Sequence, residues 1–189
     1  AMLGTPVDAE LNPRLDVLMD FIRGAAAKLR QGVLVVLRST VAPRTTELVR
    51  SVIEAETGVE EGRDFHLVFA PERVAEGHGI EETQSLPNLI GAFSDAGFER
   101  ARAFFKSISD APVLRLTPRE AEMGKLMTNM ARYVTFALAN EYYMLCDQEG
   151  VDAHRITHAC NYEYPRLNMP TPGANVGGPC LYKDGYFLV

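Results

Sequence analysis

Four short apolar runs constrain this chain more than any other feature. They are VLVVLRST from Val33, FHLVFAPE from Phe65, NLIGAF from Asn88 and APVLRLT from Ala111. Short, continuous runs rich in β-branched and aromatic residues suit strands buried on both faces. Stretches with helical spacing lie among them. LDVLMDFIRGAAAKLRQG is expected to stop at Gly32, APRTTELVRSVIEAETG has a proline near its start and Gly58 at its end, and DAGFERARAFFKSI follows the third run. Strands alternating with helices predict an α/β fold with a mostly parallel sheet.

The pattern changes after Thr117. PREAEMGKLMTNMARYVTFALANEYYMLCDQEG keeps helical periodicity with no internal proline after Pro118, and Gly150 closes it. At roughly thirty residues it exceeds the usual ~8–20 of a globular helix. Met123, Leu126, Met130, Val134, Ala137, Leu138 and Leu145 give it a broad apolar face, enough for its own core and a partner chain. DAHRITHAC reads as a shorter helix, and YEYPRLNMPTPGANVGGP as an irregular loop. A dinucleotide-binding sheet normally opens with strand, G-x-G-x-x-G turn and helix. That turn is absent, so the sheet begins in mid-pattern.

Bulk properties narrow the function. Net charge is −6 with no block of Lys and Arg, which argues against a nucleic-acid binder. No apolar run approaches the ~18 residues of a membrane span, and no signal peptide is visible, although Ala1 before Met2 reads as a cloning remnant. Three cysteines without framework spacing fit a reducing cytoplasm.

The chemistry-bearing stretch is GANVGGPCLYKDGYFL. Pro179 suits the first position of a helix, which puts Cys180 in the first turn beside unpaired N–H groups. The positive end of the helix dipole favours thiolate there. Asp184, four residues on, would oppose the thiolate and suits a later proton-handling step; Lys183 offsets it. Taken alone, a packed and inert Cys180 is the commoner outcome, and packing is the reading for Cys146 and Cys160. Lys125 and Asn129 stand one turn apart and could stabilise a reacting oxygen, or line a solvated face. Glu72 and Glu76 follow one strand end, where α/β sheets bind ligands. Ser39 and Thr40 follow another, or cap the next helix. His154 and His158 are four apart, but no third ligand completes a metal site by spacing.

The ordered set GTPVD, VVLRSTVAPRTTE, APERVAEG, LPNLIGA, EAEMGKLMTN, NEYYMLCDQEGVD and GANVGGPCLYKD resembles the UDP-glucose/GDP-mannose dehydrogenase family from about Gly4 to Leu188. GANVGGPCL is most similar to the branch acting on UDP-N-acetylhexosamines such as UDP-N-acetylmannosamine. The resemblance implies NAD-dependent oxidation of the C6 hydroxyl of a nucleotide sugar to a carboxylate. Cys180 would hold the aldehyde as a thiohemiacetal and then a thioester. Lys125 and Asn129 would stabilise oxyanions, and Thr40, Glu72, Glu76 and Asp184 would position or activate water, Glu72 in the thioester step. Thr5, Thr40, Glu76 and Lys183 match positions near NAD. Glu72, Lys125, Asn129, Arg166 and Gly177 match positions near the sugar nucleotide, and the long helix resembles the family's homodimerisation helix.

The resemblance further implies a Rossmann-like, mostly parallel sheet that is only the rear part of an NAD-binding domain (1–116), then a helical central domain with the cysteine loop (117–189). The glycine-rich βαβ and the terminal UDP-binding domain of the family are not in the sequence. A cytoplasmic fragment, inactive alone, is therefore expected. UDP-glucose 6-dehydrogenase, a non-catalytic dimerisation module and, last, a cysteine acyl hydrolase are the rival readings.

Overall fold

The computed structural model describes residues 3–10, 12–74, 77, 79–174, 181 and 183–188. The chain divides into two compact units, residues 1–126 with 186–189, and residues 127–185.

The first unit is built on a four-stranded sheet in the order β1 (Val33–Leu37), β2 (Phe65–Phe69), β3 (Asn88–Ala92), β4 (Val113–Leu116). β1 pairs parallel with β2, β2 antiparallel with β3, and β3 parallel with β4. The mostly parallel expectation holds, and the one antiparallel pair has a physical origin. α2 (Thr45–Thr57) carries the chain back between β1 and β2, and α4 (Asp95–Lys106) does so between β3 and β4. Between β2 and β3 the described residues hold α3, Gly79–Ser85, too short to serve as a crossover helix, and β3 runs back against β2.

β2 alternates between two cores. Phe65, Leu67 and Phe69 pack with α1 (Asp16–Ala26), α2 and Ala121, whereas Val68 packs with Ile90, Phe98, Ala101 and Phe105 on the face covered by α4. All five β2 residues are buried, as a continuous apolar run requires of a central strand. α1 stops at Ala26, not at Gly32. Gly32, at φ +75°, instead turns the chain into β1, its N–H donating to the Asp64 carbonyl.

Gly91 lets β3 meet the start of α5 (Pro118–Gln148). A Cβ there would lie 2.6 Å from Pro118 Cα and 2.8 Å from the Thr117 carbonyl oxygen. α5 opens with a capping box: Thr117 N–H donates to Glu120 Oε2 at 2.7 Å, and Glu120 N–H to Thr117 Oγ1 at 3.3 Å. It closes at Gly150, φ +67°, with Val151 N–H donating to the Cys146 carbonyl and Gly150 N–H to that of Asp147.

The second unit holds the rest of α5, α6 (Ala153–Asn161) and the loop after it. Asp152 caps α6 by accepting from His154 N–H and Arg155 N–H. Two asparagines fix the proline-rich loop. Asn161 exchanges hydrogen bonds with the Met169 backbone at 2.7 and 3.0 Å, and Asn140 of α5 does the same with Gly173 at 2.9 Å each.

Candidate active site

Within the first unit, the carboxyl end of β1 brings Thr5 and Thr40 together. The buried Thr5 hydroxyl donates to the Thr40 carbonyl at 2.5 Å, and Leu3 N–H donates to Ser39 Oγ at 2.7 Å. Ser39 and Thr40 do not cap α2. That helix starts after Arg44, which sits at φ +75° without a side-chain cap. The cap comes from 78 residues away: Glu122 Oε2 accepts from Arg44 N–H, and Glu122 Oε1 accepts from Thr46 N–H and Oγ1 at 2.7 and 2.6 Å.

Glu72 lies just past the carboxyl end of β2. Its Oε1 accepts from Arg73 N–H at 2.8 Å and Val74 N–H at 3.0 Å, and its Oε2 pairs with the Arg38 guanidinium. Burial alone would raise its pKa, but the Val74 hydrogen bond and then Arg38 outweigh it, so Glu72 is held below the usual carboxylate range. Lys125 is half-buried on α5 in the same unit.

Within the second unit, Asn129 and Asp184 come together as buried side chains, Asn129 Nδ2 donating to Asp184 Oδ2 at 2.6 Å. Asp184 is 1% exposed, and its Oδ1 accepts no hydrogen bond among the described residues, with Lys183 Nζ 4.0 Å away. A buried carboxylate oxygen that accepts no hydrogen bond is costly and suits a group that takes up or passes a proton. Arg166 is exposed, with its guanidinium 4.8 Å from the Tyr164 ring centroid. Glu76, Gly177 and Cys180 lie outside the described residues. Among the described residues no cluster of three His, Cys, Asp or Glu could hold a metal, and no helix is long and apolar enough to cross a membrane.

Sequence reasoning missed Arg38, Glu122, Asn140 and Asn161. Each acts through a partner far along the chain or in a loop, which no local spacing reveals. A glutamate inside the apolar stretch at the start of α5 was the one available hint.

Comparison with known proteins gives a consistent result. Residues 2–109 match the family model described as UDP-glucose/GDP-mannose dehydrogenase family, NAD binding domain, and residues 119–189 match that family's central domain. A UDP-N-acetyl-D-mannosamine dehydrogenase from Pyrococcus horikoshii is 37% identical over 185 residues, 98% of this chain and 44% of the relative. The solved structure of the UDP-D-ManNAc dehydrogenase from that organism superposes with a TM-score of 0.92 at 36% identity, over 99% of this chain and 45% of the other. A UDP-glucose dehydrogenase from Pyrobaculum islandicum superposes with a TM-score of 0.85 at 31% identity, over 98% and 44% of the two chains. The chain thus spans under half the length of the relatives it matches.

Proposed function

The chain belongs to the UDP-glucose/GDP-mannose dehydrogenase family, and from that premise we propose that it carries the substrate-oxidising part of an NAD-dependent nucleotide-sugar 6-dehydrogenase. The reading is carried by Asp184: a buried carboxylate, four residues after a cysteine, whose Oδ2 accepts from Asn129 and whose Oδ1, 4.0 Å from Lys183 Nζ, accepts no hydrogen bond among the described residues. UDP-N-acetylmannosamine is the favoured substrate, by the form of GANVGGPCL and by the names of three relatives at 37%, 30% and 30% identity.

The neutral hydroxyl and main-chain groups that meet at the carboxyl end of β1 suit a nicotinamide nucleotide, where such sheets bind ligands. Thr5, Thr40, Glu76 and Lys183 would hold it, and it would supply the hydride acceptor for both oxidations. The chain's own groups do the rest. The Cys180 thiolate adds to the C6 aldehyde carbon, keeping a reactive product bound between the oxidations. Lys125 and Asn129 donate to the oxygen that becomes negative. Asp184 takes the proton released at C6. Glu72 orients the water that hydrolyses the thioester, expelling the thiolate, and Arg166 and Gly177 contact the sugar nucleotide. One alcohol, two NAD⁺ and one water give one carboxylate, two NADH and three protons.

A homodimer through α5 is part of the same proposal. Met127, Val134, Leu138, Tyr142 and Leu145 share one face of the helix and are 44–59% exposed. UDP-glucose stays the alternative substrate, and the chain is expected to work in the cytoplasm. The test is turnover of UDP-N-acetylmannosamine and UDP-glucose with NAD, using both this chain and the full-length protein. Oxidation by the full-length form alone, faster with the N-acetylated sugar, supports the proposal. No oxidation of either sugar rejects it, and turnover by the isolated chain rejects its expected inactivity.

A further inference from the structure

We propose that Arg38 is a positioning residue that fixes the Glu72 carboxylate in one orientation at the carboxyl end of β2; its catalytic consequence rests on the function proposed above. Arg38 sits one residue past the end of β1 and only 20% of its side chain is exposed. Its guanidinium is used on two sides. Nη2 pairs with Glu72 Oε2, and the group lies 5.3 Å from the Phe105 ring centroid on α4. The two segments are also tied through the backbone, Glu72 N–H donating to the Arg38 carbonyl at 3.2 Å.

The carboxylate is therefore held from both ends. Arg73 N–H and Val74 N–H fix Oε1, and Arg38 fixes Oε2. A planar guanidinium pinned by an aromatic ring loses little freedom in making such a bond, unlike a surface lysine. Glu72 and Arg38 line a cleft of about 190 Å³, together with Phe104 and Phe105 of α4 and Leu86. Among the described residues the other charged groups lining it are Arg73, from the Glu72 loop, and Glu82, from α3, with none from α4. Among the described residues, Arg38 is thus the cation from a different element that lines the cleft and can set both the direction and the ionisation of Glu72. A carboxylate that must orient water needs both fixed.

The test uses Arg38→Met and Arg38→Lys, with folding checked by thermal melting. In the chain as it stands, carbon-13 NMR follows the Glu72 carboxyl through pH, assigned with Glu72→Gln. The midpoint is expected to rise in Arg38→Met and to return part-way in Arg38→Lys. In the full-length protein, kcat at neutral pH is expected to fall about tenfold in Arg38→Met with KM little changed. The acid limb of its pH profile should move to higher pH. An unchanged midpoint in Arg38→Met overturns the inference. So does a raised midpoint with wild-type kcat and pH profile. A wild-type protein that oxidises no nucleotide sugar would instead reject the function, and the titration would still decide whether Arg38 governs Glu72.

Discussion

Glu122 is 1% exposed and accepts three hydrogen bonds from the first turn of α2 and the residue before it. Burial pushes its carboxyl up, and the Thr46 and Arg44 donors pull it back only in part. Removing it leaves two buried donors of Thr46 and the part-buried Arg44 N–H without that acceptor. Glu122→Ala is therefore expected to cost about 3 kcal/mol, read from urea unfolding; a loss below about 1 kcal/mol would show that water replaces the carboxylate freely. His66 makes the opposite case. It is buried on β2, its Nδ1 has no hydrogen-bond partner among the described residues, and burial, then the Arg100 charge, hold its pKa below the ordinary value. The unfolded chain consequently binds a proton near pH 6.5 that the folded chain still refuses. Stability should fall as pH drops below about 6.5 and level off only below the depressed folded value. Urea midpoints at pH 7.5, 6.5 and 5.5 should show this, and His66→Gln should remove that part of the slope. An identical slope in both proteins would contradict it.

Elements meet where small residues allow. Gly91→Ala would push a methyl against Pro118 Cα and the Thr117 carbonyl, both backbone, so β3 and the start of α5 must separate. A loss of about 1–3 kcal/mol is expected. Gly124→Ala is the control, since its nearest neighbour is 3.9 Å away and the site lies inside α5, where alanine is favoured by about 1 kcal/mol. Equal melting temperatures for the two variants would contradict the packing account. The same contrast explains what could be read from sequence. The four strands, the long helix and the glycine ends at Gly58 and Gly150 are local: a run, a period or a glycine announces them. The reversal of β3 is not local, because it depends on α3 being too short to cross the sheet. The Thr5–Thr40 contact, the Asn129–Asp184 pair and the cap of α2 join positions 35, 55 and 76 or more residues apart. Thr5, Thr40, Asn129 and Asp184 were legible as residues, but their partnerships were not, and Glu122 was not singled out at all.

At the scale of the molecule, the exposed stripe on α5 makes a physical demand. Val134, Leu138 and Leu145 are 57%, 46% and 56% exposed, and a protein carrying them gains by covering them with a second copy. Sedimentation should show a dimer that Val134→Glu with Leu138→Glu converts to monomer. A wild-type monomer at tens of micromolar would reject that interface. The central claim is that this chain brings a nucleophilic Cys180 and the Asn129–Asp184 pair to the C6 carbon of a nucleotide sugar. Its most direct test is the ratio of NADH formed to UDP-N-acetylmannosamine consumed by the full-length protein, with Cys180→Ala alongside. Two NADH per sugar, with a carboxylate product that the variant cannot make, is the predicted result; acid formation by Cys180→Ala at the wild-type rate would contradict it.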